Sequence, residues 1–414
     1  MKRVLIHTLV FSPDGVSTAY LYNDIAQRLH ERGYEVVVLT TTPHFNIIPE
    51  QIKEQPMKWK VWGFCKVSNY NGMKVLHVPQ KKFKSTILRI LGFCYWHIVS
   101  FFIGLMIKHV DLILSPSPPL SVGWMNLGLA KLKGCKVIYN VQEIYPDILK
   151  LKSGFVLKFL RRMERKVYNH SDAVTTIDKV FYDTIAPRFK DQSKVHIIPN
   201  FVDTGLYRAL NNVQVNSLLD SALFPKTDSI KLLYAGNIGH MQAWEPLIAL
   251  AEKTKDLNVE YFVIGEGAQR GYVASEIENR KLEKLHLLPY QPRDLMPAIL
   301  SYSDASFIFM APGQDGDGFP SKVYTIMACE RPMLILSGEN TPIINFLKDK
   351  NCAKLITEQN FEKKVDEMDK WLRSVTKEEL AQLGKNGLAE IQAKYTKEKV
   401  TDMYVDLVKD LIGK

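Results

Sequence analysis

The stretch ASFIFMAPGQDGDGFPSKVYTIMACERPMLILS, residues 305–337, decides the fold. An apolar run typical of a buried strand leads into a glycine-rich turn, a helical apolar rhythm begins at Pro320, and a second apolar run follows at Met333. Two buried strands joined by a helix form a parallel βαβ unit. Ser321 and Lys322 lie on the first helical turn, where free N–H groups attract anions. This turn is therefore either an anion site or an ordinary helix start with a solvated lysine.

The same alternation of strand and helix covers most of the chain. Short apolar runs separated by helical patterns occur up to about residue 203, and after a polar stretch the series restarts at residue 230. This pattern predicts an α/β protein with two doubly wound, Rossmann-like domains that face each other across a cleft. We expect an N-terminal domain at 1–205, a linker at 206–229, a C-terminal domain at 230–385, and a C-terminal helix at 386–414 that crosses back toward the first domain.

Charge is unevenly distributed along the 414 residues, whose net charge is +10. Residues 1–200 contain 28 Lys and Arg against 14 Asp and Glu, whereas the remainder is slightly acidic. A basic half indicates an anionic partner surface, either lipid or nucleic acid. The five cysteines are scattered without metal-ligand spacing, which favours a reducing compartment such as the cytoplasm.

The segment from Ile90 to Ile107 has no formally charged side chain. Lys81, Lys82, Lys84 and Arg89 precede it. A segment of this length is either a short membrane span or a helix that is partly buried and partly dipped into lipid headgroups. Because strands flank it closely, we expect the second arrangement, with the protein peripheral on the inner face of the plasma membrane.

Glycine-rich turns follow two strands of the second half, at Gly236 and Gly239 and at Gly265 and Gly267. With the turn before Pro320, three turns of one sheet point to one edge. Carboxyl ends of parallel strands are where α/β folds bind ligands, and three such turns suit a nucleotide diphosphate.

Segments of both halves, in order, resemble retaining glycosyltransferases of the GT-B fold, and among these the family 4 enzymes that build bacterial surface polysaccharides. In the second half they are VHIIPNFVD (195–203), LLYAGNIGHMQ (232–242), YFVIGEG (261–267), LHLLPYQPRDLMPAILSYSDASFI (285–308) and PSKVYTIMACERPML (320–334). In the first half they are FSPDGVSTAYLYNDIAQRLHERGYEVVVLTT (11–41), VQEIYPD (141–147) and ERKVYNHSDAVTTID (164–178).

The resemblance implies a transferase that moves a sugar, with retention of configuration, from a nucleotide-diphosphate sugar to a lipid-linked glycan. It implies no metal and no cofactor. A UDP-sugar is the favoured donor and a GDP-sugar the other candidate, held mainly by the C-terminal domain. The residues assigned to the donor are Gly236, Asn237, Gly239, His240, Gln242, Gly265, Gly267, Gln291, Asp317, Pro320, Ser321, Lys322 and Thr325.

The chain departs from the family pattern at charged positions. Family members often have Arg and Lys where Asn237 and Gln242 stand, and Glu where Asp317 and Thr325 stand. A subgroup active on lipid-linked intermediates has an Asn-containing glycine turn and Pro-Ser-Lys, but it usually keeps Glu at the position of Thr325. We therefore expect Lys322 and the helix start to hold the diphosphate, and Thr325 to offer the ribose one hydroxyl without charge.

The catalytic candidates are Lys322, the Asp14-Gly15 pair and Glu143. The resemblance implies that Asp14 and Gly15 close over the donor, whereas the residues alone are equally consistent with a helix-capping aspartate beside a turn glycine. Glu143 would lie near the acceptor, and the alternative is an exposed loop acid. His7 in the first strand is expected to be structural.

Two other functional classes would also explain parts of the sequence. A nucleic-acid binder would explain the basic half, but the chain has no nucleic-acid motif and no regular interleaving of basic and aromatic residues. A basic helix beside an apolar one fits anionic lipid better. The other hypothesis, motivated by Thr325, is a catalytically inactive subunit that binds nucleotide or acts as a scaffold in a polysaccharide assembly complex.

Overall fold

A computed structural model describes residues 1–45, 47–60, 63–81, 85–149, 151, 153–313 and 319–413. The chain forms two compact units, one made of Met1–Asn200 with Lys397–Lys414 and the other of Phe201–Thr396. Each unit contains one sheet flanked by helices. The predicted two-domain α/β architecture with parallel sheets is therefore confirmed.

The first unit contains a nine-stranded sheet in the order β3-β4-β5-β2-β1-β6-β7-β8-β9. Its strand pairs are parallel except those made by β4. The elements are β1 (Arg3–His7), α1 (Ser17–Glu31), β2 (Glu35–Thr41), α2 (Pro49–Glu54), β3 (Lys58–Lys60), β4 (Cys65–Tyr70), β5 (Met73–Val78), α3 (Thr86–Met106), β6 (Leu112–Pro116), α4 (Leu120–Lys133), β7 (Lys136–Val141), α5 (Phe155–His170), β8 (Ala173–Thr176), α6 (Lys179–Ile185) and β9 (Val195–Ile197).

The β4–β5 hairpin was absent from the sequence prediction. Its turn is Asn71-Gly72, and both residues have positive φ, 48° and 86°. An Asn-Gly pair between two alternating runs is a strong hairpin signal, because the twist of a two-residue turn requires positive φ at both positions. The signal was present in the sequence, and the short, half-exposed β4 lacks the continuous apolar run of the parallel strands.

The second unit contains a six-stranded, all-parallel sheet in the order β12-β11-β10-β13-β14-β15. Apolar side chains from both sheet faces pack under the flanking helices. The elements are α7 (Asn212–Leu218), β10 (Ile230–Ala235), α8 (Trp244–Lys253), β11 (Val259–Ile264), α9 (Arg270–Arg280), β12 (Leu285–Leu288), α10 (Met296–Tyr302), β13 (Ala305–Phe309), α11 (Lys322–Ala328), β14 (Met333–Leu336), α12 (Pro342–Leu347), β15 (Ala353–Ile356), α13 (Phe361–Ser374) and α14 (Lys377–Glu390).

The structure divides the chain at different residues from those expected. The predicted linker, 206–229, belongs to the second unit and contains α7, which begins with a capping box between Asn211 and Gln214. The last helix, α15 (Lys397–Ile412), belongs to the first unit and packs on α1. There Arg28 makes a bidentate ion pair with Asp402, the arrangement that gives Arg–carboxylate pairs their geometric specificity.

Candidate active site

The strand order of the second sheet reverses between β10 and β13. Chain connections leave these two neighbouring strands in opposite directions, which opens a crevice at their carboxyl ends, the usual ligand position in open α/β sheets. The loop after β10 carries residues 236–242, and α11 follows β13 in the chain. An isolated bridge between Gln242 and Met310 joins the two loops at this edge.

The first two glycine turns are in direct backbone contact. The Gly236 N–H donates to the carbonyl oxygen of Ile264 at 2.9 Å. A Cβ at Gly265 would lie 1.9 Å from the Gly236 carbonyl oxygen, and Gly236 itself has a φ of 149°. Only glycine fits such an approach and such a backbone conformation. Steric need therefore explains these two glycines, and it also brings the turns together at the crevice.

Asn237 fills the space beside the other two glycines. A Cβ at Gly239 would lie 2.7 Å from its Nδ2, and a Cβ at Gly267 would lie 2.7 Å from its Oδ1. The carboxamide thus lies close to the turns after β10 and β11, although Asn237 as a whole is exposed. Asn237, for which the resemblance often implies arginine, has a short side chain that lies against the backbone.

The carbonyl oxygens of the first turn are engaged from the core side. The Tyr234 hydroxyl donates to the Asn237 carbonyl at 2.7 Å, and the Trp244 indole N–H donates to the Gly239 carbonyl at 3.0 Å. Within the part of the chain that the structure describes, the N–H groups of Asn237, Gly239 and His240 have no hydrogen-bond partner. Unpaired N–H groups close together in one turn are suited to an anion.

Lys322 reaches into this turn from α11. Its Nζ lies 3.8 Å from the centroid of the Tyr234 ring, and a Cβ at Gly236 would lie 2.6 Å from it. Lys322 as a whole is half-buried, and desolvation at this place lowers the pKa of its ammonium to about 7. Among the described residues it has no carboxylate partner. An ammonium in this state gains most from an incoming anion.

Thr325 does not present a free donor. Its hydroxyl donates to the Lys322 carbonyl oxygen at 2.9 Å, three residues back on the same helix. Ser321 is exposed and makes no side-chain cap, and the Pro320 carbonyl accepts from the Val323 N–H. The helix start thus leaves the Ser321 hydroxyl available, whereas Thr325 can only accept a further hydrogen bond.

The remaining predicted donor residues lie at the same sheet edge or outside the description. The exposed His240 ring lies 2.7 Å from the amide of Gln269, and Gln291 bonds the Pro289 carbonyl in the turn after β12. The Oε1 of Gln242 is buried without a partner among the described residues. Asp317 lies outside the described residues.

Asp14 is a buried carboxylate of the first unit and does not cap a helix. Its Oδ1 accepts hydrogen bonds from the N–H groups of His44 and Phe45, both at 3.0 Å, whereas the N-cap of α1 is Val16. The capping interpretation was therefore wrong, because the carboxylate joins the loop around Gly15 to the loop after β2. Burial raises the pKa of Asp14 to about 6, and its Oδ2 has no partner in the described part of the chain.

Glu143 follows β7, beside the crevice between β1 and β6, where the order of the first sheet reverses. It is half-buried, not an exposed loop acid, and this burial raises its pKa. Its segment is held in place by Asp147, which forms ion pairs with Arg161 and Arg188. His7 is fully buried against Asn126 at 2.6 Å, and burial lowers its pKa to about 4, as expected of a structural histidine.

Sequence reasoning missed Tyr234 and Trp244. Both are buried aromatic residues on apolar elements, a pattern that indicates core packing and gives no sign of a polar role. One signal was available: a buried Tyr or Trp needs a partner for its polar atom, and the nearest loop carbonyls belong to the glycine turn. No cluster of three or more metal-binding side chains occurs among the described residues.

Two family models match consecutive parts of the chain. The model described as Glycosyltransferase Family 4 matches residues 19–206, and the one described as Glycosyl transferases group 1 matches residues 218–389. WcaI of Escherichia coli (strain K12), assigned to colanic acid biosynthesis as a glycosyl transferase, is 25% identical over 346 residues, which are 79% of this chain and 81% of that protein.

Two solved structures share the fold. Anabaena HepE in complex with UDP has a TM-score of 0.72 and 12% identity, and the match covers 99% of this chain and 100% of that one. WaaG, a glycosyltransferase involved in lipopolysaccharide biosynthesis, has a TM-score of 0.66 and 15% identity, with 97% and 99% covered. The predicted GT-B fold is confirmed by these likenesses.

Burial of Lys322 predicts a pH dependence of stability that needs no ligand. Because the folded pKa is about 7 and the ordinary value is 10.5, the unfolded chain binds the extra proton between these values, so stability rises with pH across this window. One proton gives a slope of at most about 1.4 kcal/mol per pH unit. Denaturant unfolding of Lys322→Met should lack this slope. If the free energy of unfolding changed equally with pH in the two proteins, the burial of the ammonium would be contradicted.

Proposed function

Since the chain belongs to the family 4 glycosyltransferases with the GT-B fold, we propose that it moves a sugar, with retention, from a nucleotide-diphosphate sugar to a polyprenyl-linked glycan in bacterial surface polysaccharide biosynthesis. The observation that carries the proposal is the Lys322 ammonium against the glycine turn at Gly236. WcaI and WaaG are named for polysaccharide and lipopolysaccharide biosynthesis, and HepE was solved with UDP, which supports a surface glycan and a UDP-sugar.

Sugar transfer requires that the site stabilise the leaving diphosphate. As the bond from the anomeric carbon to the diphosphate oxygen breaks, negative charge grows on that oxygen, and fixed N–H groups with one cation stabilise it. The acceptor hydroxyl oxygen bonds to the same face of the anomeric carbon, and its proton passes to a diphosphate oxygen. Lys322 and the N–H groups of Asn237, Gly239 and His240 supply the stabilisation.

Donor binding raises the charge on Lys322. A diphosphate beside the ammonium favours the protonated form, so its pKa rises on binding and a proton is taken up above about pH 7. This single cation does the work that Arg and Lys do in other family members. The turn glycines keep the backbone N–H groups within reach of the phosphates.

The first unit supplies the acceptor side in this proposal. Glu143, half-buried with a raised pKa, is the candidate that contacts the acceptor. Asp14 has 1% of its surface exposed, so its part is to position the glycine loop that contains Gly15.

We also propose that the protein is cytoplasmic and peripheral on the inner face of the plasma membrane. One helix, α3, is long and apolar enough to cross a membrane, and 22% of its apolar window is buried. Exposed apolar side chains recur at helical spacing on one face of α3, as in helices that lie in the headgroup region. The exposed apolar side chains on it are Ile87, Leu88, Ile90, Leu91, Tyr95, Ile98, Phe102 and Met106.

Neighbouring helices extend this surface. α4 packs between α3 and α5, and it exposes Trp124 and Leu132, while α5 exposes Phe155, Val156 and Phe159 near its start. The exposed cations Arg89, Lys131, Lys158 and Arg162 stand on the same three helices. Apolar side chains among cations match an anionic lipid surface, with each cation contributing about 1 kcal/mol. Lys82 and Lys84, expected to contribute, lie outside the described residues.

One observation favours a second function, an inactive nucleotide-binding or scaffold subunit. The Thr325 hydroxyl is committed to the Lys322 carbonyl oxygen, so it cannot donate to a ribose hydroxyl. A site with one cation and no carboxylate side chain for the ribose should bind a nucleotide less tightly than a site with the usual family residues. Binding of nucleotide without turnover would establish this alternative.

A donor screen with a polyprenyl diphosphate-linked acceptor tests the function, with release of nucleoside diphosphate as the readout. Lys322→Ala should lower donor affinity and turnover, since one charge-assisted contact is worth about 1.5–3 kcal/mol. Lys370→Ala, an exposed lysine of the same unit on α13, is the matched control and should leave both unchanged. Equal turnover of the two variants at limiting donor would remove Lys322 from the site.

Position 325 tests the alignment with the family. A glutamate there would accept hydrogen bonds from both ribose hydroxyls, so Thr325→Glu should tighten nucleotide binding by about tenfold and add a preference for ribose over deoxyribose. Thr325→Val removes only the hydroxyl that serves the Lys322 carbonyl, and should not change that preference. Calorimetry with UDP and deoxy-UDP measures both. If the glutamate adds no ribose preference, residue 325 does not face the ribose.

Vesicle flotation tests the membrane surface. Replacing Ile98 and Phe102, 59% and 60% exposed, by Glu should weaken binding to vesicles containing phosphatidylglycerol by at least about tenfold, since each apolar side chain contributes on the order of 1.5–3 kcal/mol when buried. Leu218→Glu, 50% exposed in the second unit, should not. High salt should also weaken binding of the parent protein. Retention through an alkaline wash would indicate an inserted α3 and overturn peripheral attachment.

A further inference from the structure

Tyr234 contacts both parts of the proposed donor site. It lies on β10 with 2% of its surface exposed. Its ring centroid is 3.8 Å from Lys322 Nζ, within the range of a cation–π contact, and its hydroxyl donates to the Asn237 carbonyl at 2.7 Å. Tyr234 therefore contacts the Lys322 ammonium with the face of its ring and the glycine turn with its hydroxyl.

The ring is itself held in place. Trp244 packs edge-on against it with centroids 5.1 Å apart, and Phe307 packs against it at 5.8 Å. Trp244 donates in turn to the Gly239 carbonyl. The aromatic cluster thus sets the position of Lys322 and of two turn carbonyls together, so the turn N–H groups and the ammonium keep a fixed spacing.

We propose that Tyr234 is a positioning residue of the donor site, whose ring holds the Lys322 ammonium beside Gly236 so that it and the turn N–H groups meet the same diphosphate. The proposal rests on the proposed function. A lysine has a flexible four-carbon stem, and ordering it on binding lowers affinity. The ring restricts the stem before the donor arrives, so the ordering is already present in the free protein.

A double-mutant cycle with UDP as the probe separates positioning from general packing. Tyr234→Leu should weaken UDP binding by between about threefold and thirtyfold, the range of a cation–π contact. In the Lys322→Ala background the same change should weaken UDP binding much less, because only the hydroxyl bond to the Asn237 carbonyl is then lost. Tyr234→Phe keeps the ring and should retain most of the affinity.

Phe307→Leu is the matched control, because it removes a buried ring of the same cluster that does not lie under the ammonium. It should weaken UDP binding far less than Tyr234→Leu at equal loss of thermal stability. Equal weakening by the two, or by Tyr234→Leu in both lysine backgrounds, would reduce Tyr234 to a packing residue. Tighter binding on Tyr234→Leu would show that the ring competes with the diphosphate for the ammonium, which also overturns the proposal.

A readout without nucleotide keeps this inference separate from the proposed function. Peptide mass spectrometry can follow acetylation of Lys322 by acetic anhydride in the intact protein. Compared as the rate constant of the neutral amine, obtained from the pH dependence of the rate, acetylation should be faster in Tyr234→Leu, where the stem is released, and unchanged in Tyr234→Phe. An unchanged rate in Tyr234→Leu overturns the positioning role. Faster acetylation with no UDP binding in the parent protein would keep the positioning role while the proposed function fails.

Discussion

The donor site proposed in the second unit depends on one cation, the ammonium of Lys322. Among the described residues the Lys322 ammonium has an aromatic face and glycine backbone around it and no carboxylate, and its pKa falls to about 7. Burying a lone cation is costly, and the fold reduces the cost by making the neutral form accessible near physiological pH. In the proposed function, the amine of Lys322 is protonated again when an anionic donor binds. A salt bridge at the same place would hold the lysine charged but would compete with a diphosphate for it.

Backbone crowding would allow the proposed donor site to bind a diphosphate with fewer side-chain charges. The turns after β10 and β11 approach so closely that a Cβ at Gly265 would collide with the Gly236 carbonyl. Asn237 fits into the space that Gly239 and Gly267 leave, and its carboxamide stays against the backbone. Departures from the family pattern at this turn are thus mutually consistent, because a short side chain and close backbones leave N–H groups to meet the ligand.

Local patterns predicted the parallel strands and the sheet edge at which the glycine turns meet, because buried runs and glycine turns are short-range signals. They failed where a contact spans many residues. Asp14 looks like a helix cap, yet it bonds backbone N–H groups of residues 44 and 45. Tyr234 looks like core, and its contact with Lys322 joins positions far apart in the chain. The hairpin at Asn71-Gly72 was a local signal, and it was overlooked for lack of an apolar run.

Both units place a poorly paired ionisable group near the reversal of strand order. In the first unit the group is Asp14, whose pKa rises to about 6 and whose Oδ2 has no partner among the described residues. In the second it is Lys322, with the opposite charge and the opposite shift. Neither burial stabilises its own fold, since desolvation disfavours the charged form in both cases. Shifted pKa values of this origin cluster at functional sites. The two groups differ in what offsets this cost: two backbone N–H groups hold Asp14, whereas Lys322 has only a ring and backbone around it among the described residues, so Lys322 is the group that an incoming anion would stabilise.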